Sequence, residues 1–425
     1  MSQIKRKVFG NGFKVSVFEM PYSQSVAATL FIKTGSRNEP ESLLGISHFL
    51  EHMPFKGTLK RPTAKQVAES AEGKGGQLNA WTDVNHTAFY DKLPSKYWQE
   101  GLDLVFDLAF QPLLKPEDIE MEKGVIVEEI NRYNDIPAAK VWELFQKVMW
   151  PNHPLGKSPL GTKQTVLALK QEDFLAYHGF YYQPQNAVLS VAGNIEAEQI
   201  FSQAEQILKV LKTTESKFSL PPQDSTQLEL GSVLLETKEV DQTHLVLGIY
   251  GVPLDSPDYF TLLVLSGILG KGMSSRLFIK IREEKGWAYS ISSESRSFED
   301  DGYLAIAGGI KNSKVKEALK IIIEELKTLT KKKVDKKELE RTKEYLSGNF
   351  LISMDDPDNV SSFIGSQELL AKITYSPQQF VEQISKIKAA DVLDLAQRLF
   401  KTGRIRLALI GPFKNSEEFA KILQL

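Results

Sequence analysis

The sequence predicts an α+β protein of two homologous domains, each a mainly antiparallel or mixed β-sheet packed with helices. Three observations predict this fold class. A chain of 425 residues is longer than one hydrophobic core usually organises. Residues 404–411 (RIRLALIG) resemble residues 186–193 (NAVLSVAG), as expected after a duplication. Residues 213–230 are rich in Ser, Thr, Gln and Pro, which indicates a linker between domains at 1–212 and 231–425.

Hydrophobic periodicity and turn residues predict the elements of the first domain in order. The chain opens with a hairpin over residues 8–18, because Gly10-Asn11-Gly12 forms a turn between two strand-like runs. Ser95 and Asn194 are expected to cap helices. Further strands are predicted at 25–33, 77–82, 86–93 and 187–192. Helices are predicted at 45–53, 63–71, 95–111, 116–134, 137–150 and 194–211.

The second domain shows a similar succession of elements. A helix is predicted at 259–269, another carries Arg282, and several more fill residues 315–399. Strands are predicted at 232–239, 244–252, 288–297, 303–309 and 404–410. This domain lacks the histidine motif that its counterpart carries in its first helix, so we expect metal in only one of the two domains.

Composition excludes several classes of function. The net charge of −2 gives no attraction to nucleic acid or to an anionic membrane. The absence of Cys excludes disulfides, thiolate metal sites and cysteine nucleophiles. The first residues lead into a strand-like run without an apolar stretch, so we expect no signal peptide or membrane anchor and a cytoplasmic enzyme.

The residues His48-Phe49-Leu50-Glu51-His52 carry the strongest chemical signal in the chain. On a helix, positions i, i+3 and i+4 share one face, so both imidazoles and the carboxylate point the same way. Two such His can hold one divalent ion, and the Glu between them can reach a water on it. The order His-x-x-Glu-His is the inverted form of the commoner zinc-peptidase signature.

A hydrolytic zinc ion usually needs a third protein ligand. The acidic helix predicted at 116–134 offers several carboxylates, of which Glu122 and Glu129 share a face because they lie two turns apart. Pattern alone does not choose among Glu117, Glu120, Glu122, Glu128 and Glu129. The remaining histidines are isolated in the sequence, and we expect structural roles for His86, His153, His178 and His244.

Nearly the whole chain resembles the inverzincin metallopeptidases of the M16 family, which includes mitochondrial processing peptidase, pitrilysin and insulin-degrading enzyme. The short two-domain bacterial type is the most similar. The resemblance lies in the histidine motif followed by Phe55-Lys56-Gly57-Thr58 and in several further segments. These are Gly76-Gln77-Leu78-Asn79-Ala80, residues 156–162, Tyr182-Gln183-Pro184-Gln185-Asn186 and Met273-Ser274-Ser275-Arg276-Leu277. Pro54 departs from the family pattern, where an apolar residue such as Leu is common.

The resemblance implies one zinc ion per chain, with His48, His52 and Glu129 as its ligands. It implies that Glu51 acts as general base on the water that the zinc binds. Glu122 would orient one of the ligands and balance charge around the site. Pro54 would end or kink the motif helix without removing His52 as a ligand.

The resemblance also implies where a substrate lies. An extended peptide would add to the strand at 77–82, with Asn79 and Ala80 near the scissile bond. From the second domain, Tyr289 would donate a hydrogen bond to the oxyanion, and Arg282 would hold the substrate backbone. Such binding favours short or unfolded peptides over folded proteins.

The sequence therefore predicts a zinc endopeptidase that encloses its substrates in a chamber. Relatives of this length build the chamber from two chains, which implies a homodimer whose zinc half and Arg/Tyr half meet across chains. A heterodimer with a separate partner is the alternative assembly. A non-catalytic scaffold, like the respiratory-complex core subunits that share this fold, is the alternative function.

Overall fold

The computed structural model describes residues 3–211, 232–401 and 403–424, so the predicted linker at 213–230 lies outside the described residues. The strands are β1 (Lys5–Val8), β2 (Lys14–Glu19), β3 (Ser25–Ile32), β4 (Gln77–Thr82), β5 (Thr87–Pro94), β6 (Ala187–Gly193), β7 (Val233–Thr237), β8 (Gln242–Tyr250), β9 (Ala288–Ser297), β10 (Gly302–Lys311) and β11 (Ile405–Gly411).

The α-helices of the first half of the chain are α1 (Ile46–His52), α2 (Ala64–Glu72), α3 (Trp98–Phe110), α4 (Pro116–Asp135), α5 (Pro137–Met149), α6 (Lys163–Ala168), α7 (Gln171–Tyr181) and α8 (Ala197–Val210). Those of the second half are α9 (Tyr259–Gly270), α10 (Val315–Lys331), α11 (Lys336–Ser353), α12 (Pro357–Leu370), α13 (Pro377–Lys386), α14 (Ala389–Leu399) and α15 (Glu417–Ala420). None of the helices in the described ranges is both long and apolar enough to cross a bilayer.

The first sheet has six strands in the order β1-β2-β6-β3-β5-β4. All its neighbouring strands run antiparallel except β2 and β6, which are parallel. The central strands β3 and β6 are almost wholly buried, whereas β1 and β4 form the two edges. β1 is mostly exposed, and β4 buries only Ala80 fully. The sheet thus has a buried centre and two accessible edge strands, of which β4 packs against α1.

In the described part of the chain, the second sheet repeats the topology of β2 to β6. Its order is β7-β11-β8-β10-β9, and only β7 and β11 are parallel. Strand for strand, β7 to β11 take the places of β2 to β6, with the same neighbours and the same directions. The repeated segments seen in the sequence are β6 and β11, which occupy equivalent positions. This confirms the predicted α+β fold of two duplicated halves.

Contacts divide the chain into two compact units, and each unit includes one helix from the other half of the sequence. The first unit comprises residues within 1–131, 157–225 and 352–377, so α12 belongs to it and packs on β3 and β6. The second comprises residues within 132–156, 226–351 and 378–425, so α5 belongs to it and packs on β8 and β11. The hydrophobic pattern of α5 and that of α12 each predict a buried helix face. Neither pattern indicates which sheet covers that face.

Each exchanged helix fits against its sheet where a glycine meets an aromatic ring. A Cβ atom at Gly365 of α12 would lie 2.2 Å from Cε2 of Phe31 on β3. A Cβ atom at Gly248 of β8 would lie 2.1 Å from Cε2 of Phe145 on α5. Both contacts leave no room for a methyl group, so each helix lies closer to its sheet than any larger residue would permit.

Most predicted elements are present, with differences at a few boundaries. α6 and α7 were not predicted, and α8 begins at Ala197 instead of at Asn194. Ser95 begins a short 3₁₀ turn that precedes α3 and does not cap that helix. The segment that carries Arg282 is a π-helix, Phe278–Glu283, in which each hydrogen bond spans one residue more than in an α-helix.

We predict that Gly365→Ala destabilises the first unit by about 1–3 kcal/mol, because the added methyl group would overlap the Phe31 ring. Urea unfolding, compared at an unchanged m-value, measures the effect. The control is Gly348→Ala in the interior of α11, where a Cβ atom meets nothing within 4 Å. That change should leave stability unaltered or raise it by up to about 1 kcal/mol, since Ala favours helix. Equal behaviour of the two variants would contradict the tight contact.

Candidate metal centre

The short helix α1 places both motif histidines, and residues outside the helix hold it in position. Gly45, at φ 93°, turns the chain into the helix in a conformation that favours glycine. The carboxylate of Glu39 is fully buried and accepts the backbone N–H groups of Gly45 at 2.7 Å and Ser47 at 2.8 Å. Burial raises the pKa of Glu39 to about 7, although these hydrogen bonds oppose the rise. The helix ends at His52, one residue before its predicted end, and a 3₁₀ turn containing Pro54 follows.

The structure brings His48 and His52 of α1 together with Glu129 of α4. The two imidazole ring centres are 4.7 Å apart. Oε2 of Glu129 lies 3.6 Å from Nε2 of His48 and 3.8 Å from Nε2 of His52. One ligand atom from each of the three residues falls within 4.8 Å of the others.

These spacings fit a shared metal ion better than direct hydrogen bonds. A hydrogen bond between nitrogen and oxygen measures about 2.7–3.2 Å, shorter than either Glu129 distance. Two ligand atoms bound at about 2.0–2.1 Å to tetrahedral zinc lie roughly 3.4 Å apart. The donor set of two imidazoles and one carboxylate is also a set that catalytic zinc uses. The residues present therefore fit a zinc ion, while their assignment as ligands stays a prediction.

The surroundings of the two histidines differ. Burial, and to a smaller extent the neighbouring His52, lower the pKa of His48 to about 3, so this imidazole is neutral at physiological pH. Burial also disfavours a charge on His52, but a hydrogen bond to Glu122 and the carboxylates around it raise its pKa above the usual value. A metal must therefore displace any proton on His52.

Glu122 orients His52 from the side away from Glu129. Its Oε1 lies 2.9 Å from Nδ1 of His52, which leaves Nε2 of that ring directed at the candidate metal position. The other oxygen of Glu122 pairs with the ammonium group of Lys56. Burial would raise the pKa of Glu122, but the hydrogen bonds from His52 and Lys56 lower it below its ordinary value. An ionised Glu122 is thus available to hold His52.

Glu51 lies between the two histidines and next to the end of β4. Burial raises the pKa of Glu51 above its usual value, while a hydrogen bond with Thr82 and the nearby His52 oppose the rise. Its Oε2 is buried and has no hydrogen-bond partner in the described part of the chain. A buried carboxylate with an open oxygen beside a metal position can accept a proton from water.

Strand β4, which carries Asn79 and Ala80, borders the same site. It is the edge of the first sheet, pairs only with β5 among the described strands, and packs against α1. The side chain of Asn79 is exposed, and Ala80 is buried. A pocket of about 570 Å³ opens beside the strand, and its lining is mainly apolar. It is lined by Phe55, Ala64, Val67, Ala68, Glu72, Gly76, Gln77, Leu78, Asn79 and Tyr90.

The second unit holds Arg282 and Tyr289, which lie next to each other. The guanidinium carbon of Arg282 is 5.6 Å from the centre of the Tyr289 ring and 4.6 Å from that of Phe278. Tyr289 is 78% exposed, so most of its side chain is free to meet a ligand. The roles assigned to this pair remain predictions.

Some residues at the site were missed or left open by sequence reasoning. Among the described acidic residues of α4, only Glu129 joins His48 and His52 in the candidate ligand group, and Glu122 contacts the other nitrogen of His52. Glu117, Glu120 and Glu128 lie outside that group. Lys56 was noted only within a family motif, and neither Thr82 nor Glu39 was singled out. The partners of these residues lie on other elements, so no short sequence pattern reveals them.

Comparison with known proteins agrees with this geometry. Residues 14–163 match the family model described as insulinase (peptidase family M16), and residues 168–346 match the one described as peptidase M16 inactive domain. An uncharacterized zinc protease of Bacillus subtilis, YmxG, is 35% identical over 412 residues, which are 97% of this chain and 99% of that protein. An uncharacterized zinc protease of Rickettsia felis is 36% identical over 406 residues, or 95% and 96% of the two chains.

Solved structures show the same fold. A protease from Helicobacter pylori superposes with a TM-score of 0.89 at 22% identity, over 96% of this chain and 100% of that one. A peptidase M16 inactive domain from Pseudomonas fluorescens gives a TM-score of 0.84 at 18% identity, over 97% and 98% of the two chains. At these identities the likeness supports the fold alone.

We predict that Glu122→Gln weakens zinc binding by about 10–100-fold, because a neutral amide no longer holds the His52 ring as firmly. Competition with a coloured chelator measures the affinity. Glu128→Gln is the matched control, since that carboxylate is exposed on the same helix, lies outside the ligand group and accepts a hydrogen bond from Asn131. A loss of equal size in both variants would show that general charge, and not the His52 contact, governs affinity.

Proposed function

The chain belongs to peptidase family M16, and on that premise we propose that it is a zinc-dependent endopeptidase acting on short or unfolded peptides. One observation carries the proposal: His48, His52 and Glu129 converge from two helices at distances that suit one metal ion. A scaffold function does not require these three side chains to converge. The zinc-protease names of the relatives agree with the proposal.

Glu51 is the proton carrier in this proposal. A zinc ion, when bound, supplies a positive charge that acidifies water and polarises a peptide carbonyl. The Glu51 carboxylate accepts the proton of the attacking water and passes it to the leaving amine. Its hydrogen bond with Thr82 holds the carboxylate at the end of β4. The acceptor therefore lies where a peptide aligned with β4 would pass.

The edge strand and its pocket favour an extended peptide as substrate. Hydrogen bonds to the free edge of β4 need only a backbone, so they select chain extension more than side-chain identity. Asn79 and Ala80 lie in the middle of that edge, and the neighbouring pocket would accept one apolar side chain of the peptide. Folded proteins present few segments that can add to the edge in this way.

Arg282 and Tyr289 complete the proposed active site from the second half of a chain. Tyr289 would donate a hydrogen bond to the charge that develops on the peptide carbonyl oxygen, and Arg282 would hold the backbone. We propose a homodimer that encloses the substrate, in which Arg282 and Tyr289 of one chain serve the metal centre of the other.

We predict that Glu51→Gln retains zinc but lowers kcat/KM for an unstructured peptide by about 10²–10⁴-fold, because the amide accepts no proton. Zinc content and cleavage of a quenched fluorescent peptide are measured on the same preparation. Glu128→Gln serves as control for the loss of one acidic group, and its activity should match the wild type.

Unchanged turnover by Glu51→Gln would rule out the proposed mechanism. A wild-type protein that contains little zinc, and whose peptidase activity is absent or insensitive to chelators, would favour the scaffold function.

The cross-chain site predicts complementation between two inactive variants. Glu51→Gln chains and Tyr289→Phe chains, mixed in equal amounts and allowed to exchange subunits, should recover about a quarter of wild-type activity. Half of the dimers would be hybrids, and each hybrid would hold one intact site. Cleavage of the fluorescent peptide before and after exchange measures the recovery.

Light scattering establishes the mass of the protein expressed alone. A dimer without recovered activity would place all site residues on one chain. An inactive monomer would favour a heterodimer with a separate partner.

A further inference from the structure

The segment Met273–Leu277 resembles a family motif, yet the proposed mechanism gives it no role. Within it, Arg276 makes a two-point ion pair with Glu338 of α11. Its Nε donates to Oε1 at 2.8 Å, and its Nη2 donates to Oε2 at 2.7 Å. The third nitrogen, Nη1, lies 3.4 Å from Oε2 of Glu325 on α10. One planar guanidinium thus joins two helices to the segment.

Glu325 makes this cluster hard to rearrange. It is only 3% exposed, and its other oxygen pairs with the ammonium group of Lys280, one turn beyond Arg276. A buried carboxylate that loses its cationic partner is left without compensation. Arg276 and Lys280 are therefore held to one anchoring group on α10.

The same face of α11 fixes the residues just before Arg276. Arg341 donates to the carbonyl oxygen of Ser274 at 3.2 Å, one turn along the helix from Glu338. A further turn along, the Tyr345 ring lies against Gly272, where a Cβ atom would be 2.8 Å from the ring. Gly272 has φ 82°, which favours glycine. Spacings of three and four residues put these contacts on one side of the helix.

The cluster lies directly before the π-helix Phe278–Glu283, which carries Arg282. Leu277, just before the π-helix, and Ile281, within it, are fully buried. Tyr289, which follows the π-helix, is 78% exposed. Tyr289 receives little orientation from its own packing apart from its contact with Arg282, and Arg282 is half-buried against Phe278 of the π-helix. The direction of Arg282 and Tyr289 therefore depends on how the segment is attached to α10 and α11.

We propose that Arg276 is a positioning residue, which fixes the segment bearing Arg282 and Tyr289 by clamping it to Glu338 and Glu325. This inference rests on the proposed function, because it assumes that Arg282 and Tyr289 act on the substrate. Arg276 itself needs no contact with substrate. Displacing such groups by about 1 Å is enough to cost roughly a hundredfold in rate.

The test is Arg276→Lys, which keeps the positive charge but removes the planar fork. We expect kcat to fall by about a hundredfold, with a smaller change in KM and unchanged zinc content, because alignment is lost while the fold is kept. Arg398→Lys is the matched control. Arg398 also joins two acidic residues in the same unit, Asp258 at 2.8 Å and Asp394 at 2.9 Å. The control should retain wild-type kcat and KM.

Hydrogen exchange of the amides of residues 278–289 gives a second readout. In Arg276→Lys these amides should exchange at least tenfold faster than in the wild type, while the rest of the unit is unchanged. A variant with kcat within twofold of the wild type would overturn the proposal. So would a loss of activity matched by an equal loss in the control.

Two further outcomes remain decisive. A second variant, Arg276→Met, removes the charge as well as the fork and should lower kcat at least as much as Arg276→Lys. Should Arg276→Met fail to fold, Arg276→Lys still decides, because it keeps a charge beside both carboxylates. Should the wild type hydrolyse no peptide, the proposed function fails by itself. Hydrogen exchange then decides whether Arg276 anchors the segment: faster exchange supports the anchor, and unchanged exchange overturns it.

Discussion

The candidate metal centre depends on holding a helix of seven residues in one orientation. Helix α1, Ile46–His52, is too short to be stable alone, since isolated helices below about 12–15 residues are marginal in water. Burial of Ile46, Phe49 and Leu50 supplies most of its stability. The Glu39 carboxylate adds direction, because its two hydrogen bonds to backbone N–H groups fix the angle at which the helix begins. That angle sets the direction of both imidazoles of α1. Only in this orientation can one carboxylate of α4 come close to both of them.

In the second unit, the contact between α9 and α11 is equivalent to the contact between α1 and α4, and it serves packing. By strand order, α9 follows β8 as α1 follows β3, and both α4 and α11 precede an exchanged helix. Where α9 meets α11, a Cβ atom at Gly267 would lie 2.7 Å from Thr342 and 3.0 Å from Leu346. Close apolar contact therefore occupies the place that the candidate metal ligands take in the first unit. The duplicated halves share one topology, and the proposed function assigns the metal ligands to the first half and Arg282 and Tyr289 to the second.

Sequence reasoning recovered much of the fold, and His48, His52 and Glu129, which it named as ligands by family resemblance, lie together in the structure. The histidine motif and the fold class follow from local patterns and a family resemblance, and most strands and helices lie within a few residues of their predicted bounds. Local periodicity alone did not select Glu129 among the carboxylates of α4, because their exposure depends on what the helix packs against. Lys56 and Thr82 were missed for the same reason, since their partners Glu122 and Glu51 lie on other elements. The exchange of α5 and α12 between the two units is determined by tertiary packing, which an amphipathic sequence pattern does not encode.

That exchange has a consequence for how the chain matures on the ribosome. The strands of the first sheet are complete once Gly193 has emerged, but the helix that covers β3 and β6 begins only at Pro357. At a synthesis rate of about 5–20 residues per second, the sheet waits roughly 10–30 seconds for its cover. During that interval Phe31 and Val188, which are buried in the finished protein, lack the cover of α12 and pack on that face against residues of the sheet such as Ala88 and Trp81. A nascent chain of this kind would need a chaperone, or a temporary non-native contact, to stay out of aggregates until its later half arrives.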